Sequence, residues 1–129
     1  MKVHAIIERA SDGSYSIYTK EDFEDFVLIA AGKTPEEAIK DLDSVAEEMK
    51  PDFPILSEIE FEYSYDVASF LRDFKNEFSM SGLEVITGIN QKQLHHYLTG
   101  HRKPSEKTVR KIQNGIMAFA SRLNSIHLV

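Results

Sequence analysis

Four long polar side chains lie close together in the C-terminal third of the 129-residue chain, and their types suit contacts with the edges of DNA bases: Gln91, Lys92, Gln93 and His96. Glutamine pairs well with adenine, and lysine with guanine, in the major groove. For Lys92 the alternative is a contact with the DNA backbone alone, and for His96 it is a solvated helix face. Arg102 and Lys103 follow in a basic loop and are candidate phosphate contacts.

Two helices are predicted to hold these side chains. A short helix over residues 83–87 ends at Gly88, which can take the left-handed conformation that a tight turn needs. Asn90 is a good N-cap for a second helix over about residues 91–99. Apolar residues of the second helix recur at helical spacing and are expected to face inward: Leu94, Tyr97 and Leu98. An anchored helix with polar residues at its start and cations nearby is typical of a helix-turn-helix.

The start of the first helix offers a further contact. Ser81 and Gly82 are expected there, where free backbone amides can bind a phosphate. The predicted DNA-binding residues are therefore Ser81, Gly82, Gln91, Lys92, Gln93, His96, Arg102 and Lys103.

Charge is distributed unevenly along the chain. Residues 79–129 hold seven Lys/Arg against two Asp/Glu, a net charge of +5, whereas residues 1–78 hold eight against 19, a net charge of −11. The basic part contains the predicted helix-turn-helix. This division favours two modules with different partners over chance clustering of charge on solvated faces.

The first 65 residues have the pattern of a small sheet crossed by one helix. Alternating apolar residues and an Asp-Gly turn predict a hairpin, and the next apolar run predicts a third, central strand. A fourth strand has a period of two. The predicted strands include residues 3–7, 15–19, 26–31 and 59–65.

The helix of this module has a clear start. Thr34 is its N-cap, Pro35 is at the first helical position, and Glu37 completes a capping box. The face that should lie on the sheet consists of Ile39, Leu42, Val45, Ala46 and Met49. The predicted order is therefore β-β-β-α-β.

Only helices are predicted in the second half of the chain. Asp66 caps a helix whose apolar stripe contains Val67, Phe70, Leu71, Phe74 and Phe78. Ser105 caps a long helix whose inward face contains Val109, Ile112, Ile116, Phe119 and Leu123.

Other chemistry finds less support. There is no cysteine, no apolar run of membrane-spanning length, no signal-peptide pattern and no zinc-protease, nucleophile-elbow, P-loop or Rossmann motif. His95 and His96 point about 100° apart on a helix, so they do not converge on one metal. Glu58, Glu60 and Glu62 could bind a divalent cation but suit the solvated face of a sheet better. We therefore expect a cytoplasmic protein that is not an enzyme, needs no metal or cofactor and has no membrane partner.

The chain resembles a known family in two places. The run GKTPEEAIKDLDSVAEEM at residues 32–49 and the run GINQKQLHHYLTGHRKPSEKT at residues 88–108 together look like a HicB-type antitoxin with a C-terminal helix-turn-helix of the Cro/repressor class. The resemblance implies an α+β fold with two domains. Residues 1–65 would form a partial ribonuclease-H-like, toxin-binding module without catalytic carboxylates, and residues 66–129 a domain that binds DNA and dimerises.

Two functions remain open on the sequence. The resemblance implies an antitoxin that neutralises a HicA-like, RNA-cleaving toxin and represses its own operon by binding operator DNA as a homodimer or higher homo-oligomer. An acidic surface would suit such a basic partner. The alternative is a one-component transcriptional regulator whose N-terminal module binds a small molecule.

Overall fold

A computed structural model describes all of residues 1–129. The chain forms two compact units, Met1–Ser69 and Phe70–Val129, here called the sheet unit and the helical unit. Their elements are, in chain order, β1 (Lys2–Arg9), β2 (Tyr15–Thr19), β3 (Ile29–Gly32), α1 (Pro35–Met49), a short 3-10 helix (Pro54–Glu58), β4 (Glu60–Tyr65), α2 (Val67–Asp73), α3 (Met80–Thr87), α4 (Gln91–Leu98) and α5 (Glu106–Asn124). No helix is both long and apolar enough to span a bilayer.

The sheet unit has the predicted β-β-β-α-β order, with strand order β3-β2-β1-β4. β1 and β2 form an antiparallel hairpin in which Ile7 is opposite Ile17, and its turn has Gly13 at a φ of +86°. β4 runs parallel to β1. The prediction of a central third strand over residues 26–31 is wrong, because β3 begins at Ile29 and lies at an edge of the sheet. An apolar run does not by itself distinguish a central strand from an edge strand beside a helix.

One helix covers one face of the sheet. Thr34 caps α1 by accepting the N–H of Glu37. The Glu37 carboxylate accepts the N–H of Lys33, whereas in an ordinary capping box it would accept the N–H of the N-cap residue, here Thr34. Ala38, Leu42 and Ala46 form the buried side of the helix, and Ile39, Val45 and Met49 flank it. The core they close contains Ala5, Ile7, Ile17, Leu28, Ala30 and Leu56.

The helical unit begins with a short aromatic segment. α2 ends at Asp73, so the predicted apolar stripe that reaches Phe78 extends past the helix. The rings of Phe70, Phe74 and Phe78 nevertheless follow one another at 5.0 and 6.3 Å, and Phe78 meets Phe119 of α5 edge-on at 6.1 Å. The aromatic chain thereby joins this segment to the last helix.

The last helix approaches α3 unusually closely. A Cβ added at Gly115 would lie 2.3 Å from the carbonyl oxygen of Ile86 and 3.0 Å from the Cα of Thr87. Only a residue without a side chain permits this approach between two backbones. The buried side chains of α3, α4 and α5 are Leu83, Thr87, Leu94, Tyr97 and Ile112.

Candidate nucleic-acid interface

A tight turn joins α3 to α4. Gly88 ends α3 with a φ of +73°, in the left-handed region that the sequence predicts. The hydroxyl of Thr87 donates to the carbonyl of Leu83 at 2.7 Å and accepts the N–H of Ile89 at 3.1 Å. This buried side chain satisfies backbone groups on both sides of the turn, and the turn geometry is thereby fixed. Lys111 of α5 adds a hydrogen bond from Nζ to the carbonyl of Gly88 at 3.3 Å.

Two side chains organise the start of α4. The side-chain oxygen of Asn90 accepts the N–H of Gln93 at 2.8 Å, as predicted for an N-cap. The carboxylate of Glu84 on α3 accepts the N–H of Gln91 at 3.2 Å. A carboxylate at a helix N-terminus is favoured by the free N–H groups and by the helix dipole. The first turn of α4 is thus held in place from within its own unit.

The four predicted base-contacting residues differ in exposure. Gln91 and Lys92 are exposed, whereas Gln93 and His96 are partly buried. Nε2 of Gln93 donates to the phenolic oxygen of Tyr97 at 2.8 Å, and that of Gln91 lies 3.5 Å from Glu84. The Lys92 side chain makes no hydrogen bond or ion pair within its unit. Gln91 and Gln93, by contrast, would exchange an internal contact for one to a base.

The predicted amide site at Ser81 and Gly82 needs a correction. α3 begins at Met80, earlier than the predicted residue 83, and its N-cap is Ser79. Oγ of Ser79 accepts the N–H of Gly82 at 3.0 Å, so that amide already has a partner. Ser81 places its hydroxyl 3.1 Å from the Ser79 hydroxyl. The start of α3 was misplaced because its first turn contains a glycine and few apolar residues.

Cationic and imidazole groups gather after α4. Arg102 and Lys103 are exposed, and the N–H of Arg102 donates to the carbonyl of His96 at 3.2 Å. The rings of His96 and His101 lie 5.0 Å apart. The pKa of His96 lies below its ordinary value of 6.5. The main cause is partial desolvation, and the smaller contributions come from the positive charges of His101, Arg102, Lys92 and His95. This environment favours the neutral imidazole of His96, whereas a nearby phosphate would favour the protonated form.

Several apolar side chains of α5 are exposed in the single chain. Of the predicted inward face only Ile112 is buried, whereas Val109 is 40% and Leu123 54% exposed. The expectation that both face the core is wrong for a single chain. Met117 and the tail residues Ile126 and Leu128 are also exposed. Large apolar side chains are therefore exposed both along α5 and in the tail that follows it.

The sheet unit is acidic, whereas the helical unit is basic. Within it, 17 Asp/Glu oppose six Lys/Arg, a net charge of −11, whereas the helical unit has nine Lys/Arg and four Asp/Glu, a net charge of +5. Glu62 of the predicted carboxylate row is paired, lying 3.1 Å from Lys2 and 3.5 Å from Nε2 of His4. The structure contains no group of three His, Cys, Asp or Glu side chains arranged to hold a metal ion.

Some residues of the site were not expected from the sequence. Glu84, Thr87 and Gly115 hold the α3–α4 turn in place, and none of them belongs to the polar set that suggested DNA binding. A glycine in the middle of an apolar-periodic helix was the available signal for Gly115. Comparisons of the chain with protein-family models, curated proteins and solved structures gave no match.

Proposed function

We propose that this protein is the antitoxin of a HicA/HicB-type toxin-antitoxin system and the repressor of its own operon. In this proposal the helical unit is a helix-turn-helix domain that binds operator DNA, with α4 as the recognition helix in the major groove. The sheet unit is the partial ribonuclease-H-like module that neutralises an RNA-cleaving toxin. The protein acts in the cytoplasm, without catalysis and without a metal or cofactor.

One observation carries the DNA-binding part. α4 begins at an Asn90-capped turn with Gln91 and Lys92 exposed at its N-terminal end, and Arg102 and Lys103 are exposed beyond its C-terminal end. Recognition helices present their N-terminal residues to base edges, and cations on either side contact phosphates. The net charge of +5 on this unit supplies the long-range attraction to DNA.

The exposed apolar residues of α5 support a homodimer or a higher homo-oligomer. Leu123 and Met117 are 54% and 59% exposed, and their burial against a second copy would stabilise a pair of recognition helices. A symmetric dimer binds two half-sites about one helical turn, or a multiple of it, apart. The operator of this protein is therefore a palindrome.

The charge of the sheet unit supports a different partner. A unit with a net charge of −11 is repelled by nucleic acid and attracted to a cationic protein. A toxin that cleaves RNA must itself bind a polyanion, so its surface is basic. The sheet unit can compete for that surface with long-range steering.

A small-molecule sensor is the second candidate. The observation that favours it is a cleft beside β2 and β3, lined by Tyr18, Phe23, Phe26 and Ile29 among others. Its volume of about 140 Å³ is well below the roughly 300–1,000 Å³ of usual ligand pockets. The antitoxin therefore remains the better proposal.

Expression of the native operon tests the proposal. The toxin encoded beside this gene should co-purify with the tagged full-length chain, and its growth arrest should be relieved by that chain. A paired variant with Gln91→Ala and Lys92→Ala should still rescue growth but should lose operator repression. Failure of the wild-type chain to rescue growth, or release from DNA by a small molecule without any protein partner, would favour the sensor.

A further inference from the structure

One edge of the sheet has free backbone groups. β4 is the outermost strand beside β1. The amides of Glu60, its first residue, and of Asp66, just after its end, donate inward to the carbonyls of Met1 and Ile7 at 2.8 and 3.3 Å. In a parallel pair alternate residues direct both N–H and C=O to the same side, so those of Phe61 and Tyr63 point away from the sheet. Neither of these two amides has a hydrogen-bond partner within the chain.

The opposite edge is protected. β3 has only four residues, and the outward N–H of Ala31 donates to the carboxylate of Asp41 on α1 at 2.9 Å. Short length and a covering side chain are two ways in which proteins prevent an edge from pairing with another chain. β4 has six residues, contains neither proline nor lysine, and has no covering side chain at Phe61 or Tyr63.

The two faces of β4 differ in chemistry. Phe61 and Tyr63 lie opposite the buried residues Val3 and Ala5 of β1, their rings are 6.3 Å apart, and Tyr63 is 37% exposed. Glu60 and Glu62 lie on the other face, opposite Lys2 and His4. A strand added at this edge would meet aromatic side chains on one face and carboxylates on the other.

We propose that the outer edge of β4 is a docking site for an extended, cationic segment of a partner protein, which adds to the sheet as a fifth strand. Backbone hydrogen bonds to Phe61 and Tyr63 provide the pairing, as in other cases of strand addition. Alternating apolar and basic residues provide the selectivity. A second copy of this chain suits the edge less well, because its own sheet unit has a net charge of −11. The inference deepens the proposed function and rests on it only for the identity of the partner.

The first test uses the full-length protein and a synthetic strand. An acetylated and amidated peptide of alternating lysine and valine, about eight residues long so that it spans the whole of β4, is titrated by calorimetry. The same peptide methylated on every backbone nitrogen keeps the charge but cannot donate to the edge. We expect it to bind about tenfold more weakly, the loss expected for one to two net backbone hydrogen bonds. Equal binding of both peptides, or no binding of either, would contradict the proposal.

Two pairs of variants locate the site. Y63P removes one outward N–H without removing a β1–β4 hydrogen bond, and Y63T removes the ring but keeps that N–H. Y63P should bind the unmethylated peptide about five- to tenfold more weakly than Y63T does. E60Q should weaken binding more than E48Q, which changes an exposed acid on α1 by the same charge. If Y63P does not fold, the methylated peptide still decides the question.

A second copy of this chain is the competing occupant of the β4 edge, and its binding is tested by a separate measurement of molecular mass. Sedimentation equilibrium on wild type, Y63P and Y63T should give the same molecular mass for all three. A lower mass for Y63P alone would show that β4 joins two copies of this chain, and the proposed occupant would be wrong. Operator binding and growth rescue are measured separately, so an edge that fails to bind the peptide is distinguishable from a protein that is no antitoxin.

Discussion

Glu84 on α3 accepts the backbone N–H of Gln91, the first residue of α4, at 3.2 Å. The acid thus lies at the end of α4 that the proposal places against DNA. Its carboxylate stabilises the helix start, because a negative charge is favoured at a helix N-terminus. The same charge repels the phosphates of DNA. Removal of the Glu84 charge should therefore lower the stability of the protein and raise its affinity for non-specific DNA.

Substitution of Glu84 tests that relationship. E84A should destabilise the helical unit by roughly 0.5–1 kcal/mol, measured by denaturant unfolding, and should raise affinity for random-sequence DNA. E84Q can still accept a hydrogen bond, so it should lose less stability while it gains as much non-specific affinity. If E84A lowers affinity for random DNA in a protein that is still folded, the side chain does not face the DNA.

Gly115 makes the packing of α5 sensitive to one added methyl group. G115A places a Cβ 2.3 Å from the carbonyl oxygen of Ile86, so the two helices must separate. We expect a loss of about 1–3 kcal/mol, as for other overpacked cores, with a lower melting temperature of the helical unit. Q113A changes an exposed residue of the same helix and serves as the control. Equal stability of both variants would mean that the close approach of α3 and α5 is absent in solution.

The sequence predicted those parts of the fold that depend on local chemistry. The structure confirms the predicted N-caps Thr34, Asn90 and Ser105, each of which accepts a backbone N–H of the first turn. It also confirms the left-handed conformation predicted for Gly88. The prediction was wrong where the structure depends on pairing between strands that are distant in sequence. The position of β3 at the sheet edge depends on which strand β1 joins, and no local pattern encodes that choice.

The candidate site was predicted less completely. The polar residues on the outer face of α4 follow from helical periodicity, whereas Glu84 reaches Gln91 only because of the angle at which the turn brings α3 to α4. The inward face of α5 was overestimated for a related reason. Periodicity identifies an apolar stripe, but it does not tell whether Val109 and Leu123 pack against their own chain or against another copy.

DNA binding should depend on pH through His96. The pKa of His96 lies below its ordinary value of 6.5, and a nearby phosphate would raise that pKa. DNA therefore binds the protonated form more tightly, so affinity should increase as the pH falls from 7.5 through the range in which His96 titrates. H96Q should reduce this increase, whereas H95Q on the exposed neighbour should not. A pH profile that H96Q leaves unchanged would remove His96 from the interface.

The same lowered pKa has the opposite consequence for the free protein. The folded chain binds a proton at His96 less readily than the unfolded chain does, so this residue reduces stability as the pH falls below 6.5. Between pH 7.5 and acid pH, the free energy of unfolding of wild type without DNA should fall more than that of H96Q, measured by denaturant unfolding. Parallel profiles would contradict the lowered pKa.

Acid should also loosen the sheet unit at Glu21. Nδ1 and the backbone N–H of His4 both hydrogen-bond the Glu21 carboxylate, and the bond to the His4 side chain is the main reason why the pKa of Glu21 lies below 4.5. The stability from this contact is present above pH 4.5 and is lost as the pH falls through the lowered pKa. E21Q should unfold more readily than wild type at pH 7, and its free energy of unfolding should decrease less as the pH falls below 4.5. E24Q, on an exposed acid of the same loop, is the control.

The self-association of α5 is testable without DNA. L123E and M117E each place a charge at an exposed apolar position of α5 and should shift the full-length protein toward monomer in sedimentation equilibrium, while its melting remains cooperative. N114E places the same charge on an exposed polar residue of the helix and should leave the mass unchanged. A monomeric wild type at micromolar concentration would contradict the proposed dimer.

The most direct test of the central claim is the affinity of the full-length protein for the DNA upstream of its own gene, measured by fluorescence anisotropy over a range of salt concentrations. Wild type should prefer that DNA to a shuffled sequence. Q91A and K92A should reduce the preference, each by about 1–3 kcal/mol if it contacts a base, whereas R102A and K103A should weaken both DNAs alike and reduce the salt slope by about 1 each. Equal affinity for the upstream and shuffled DNA at every salt concentration, or a preference that Q91A and K92A both leave intact, would contradict the assignment of α4 as a recognition helix.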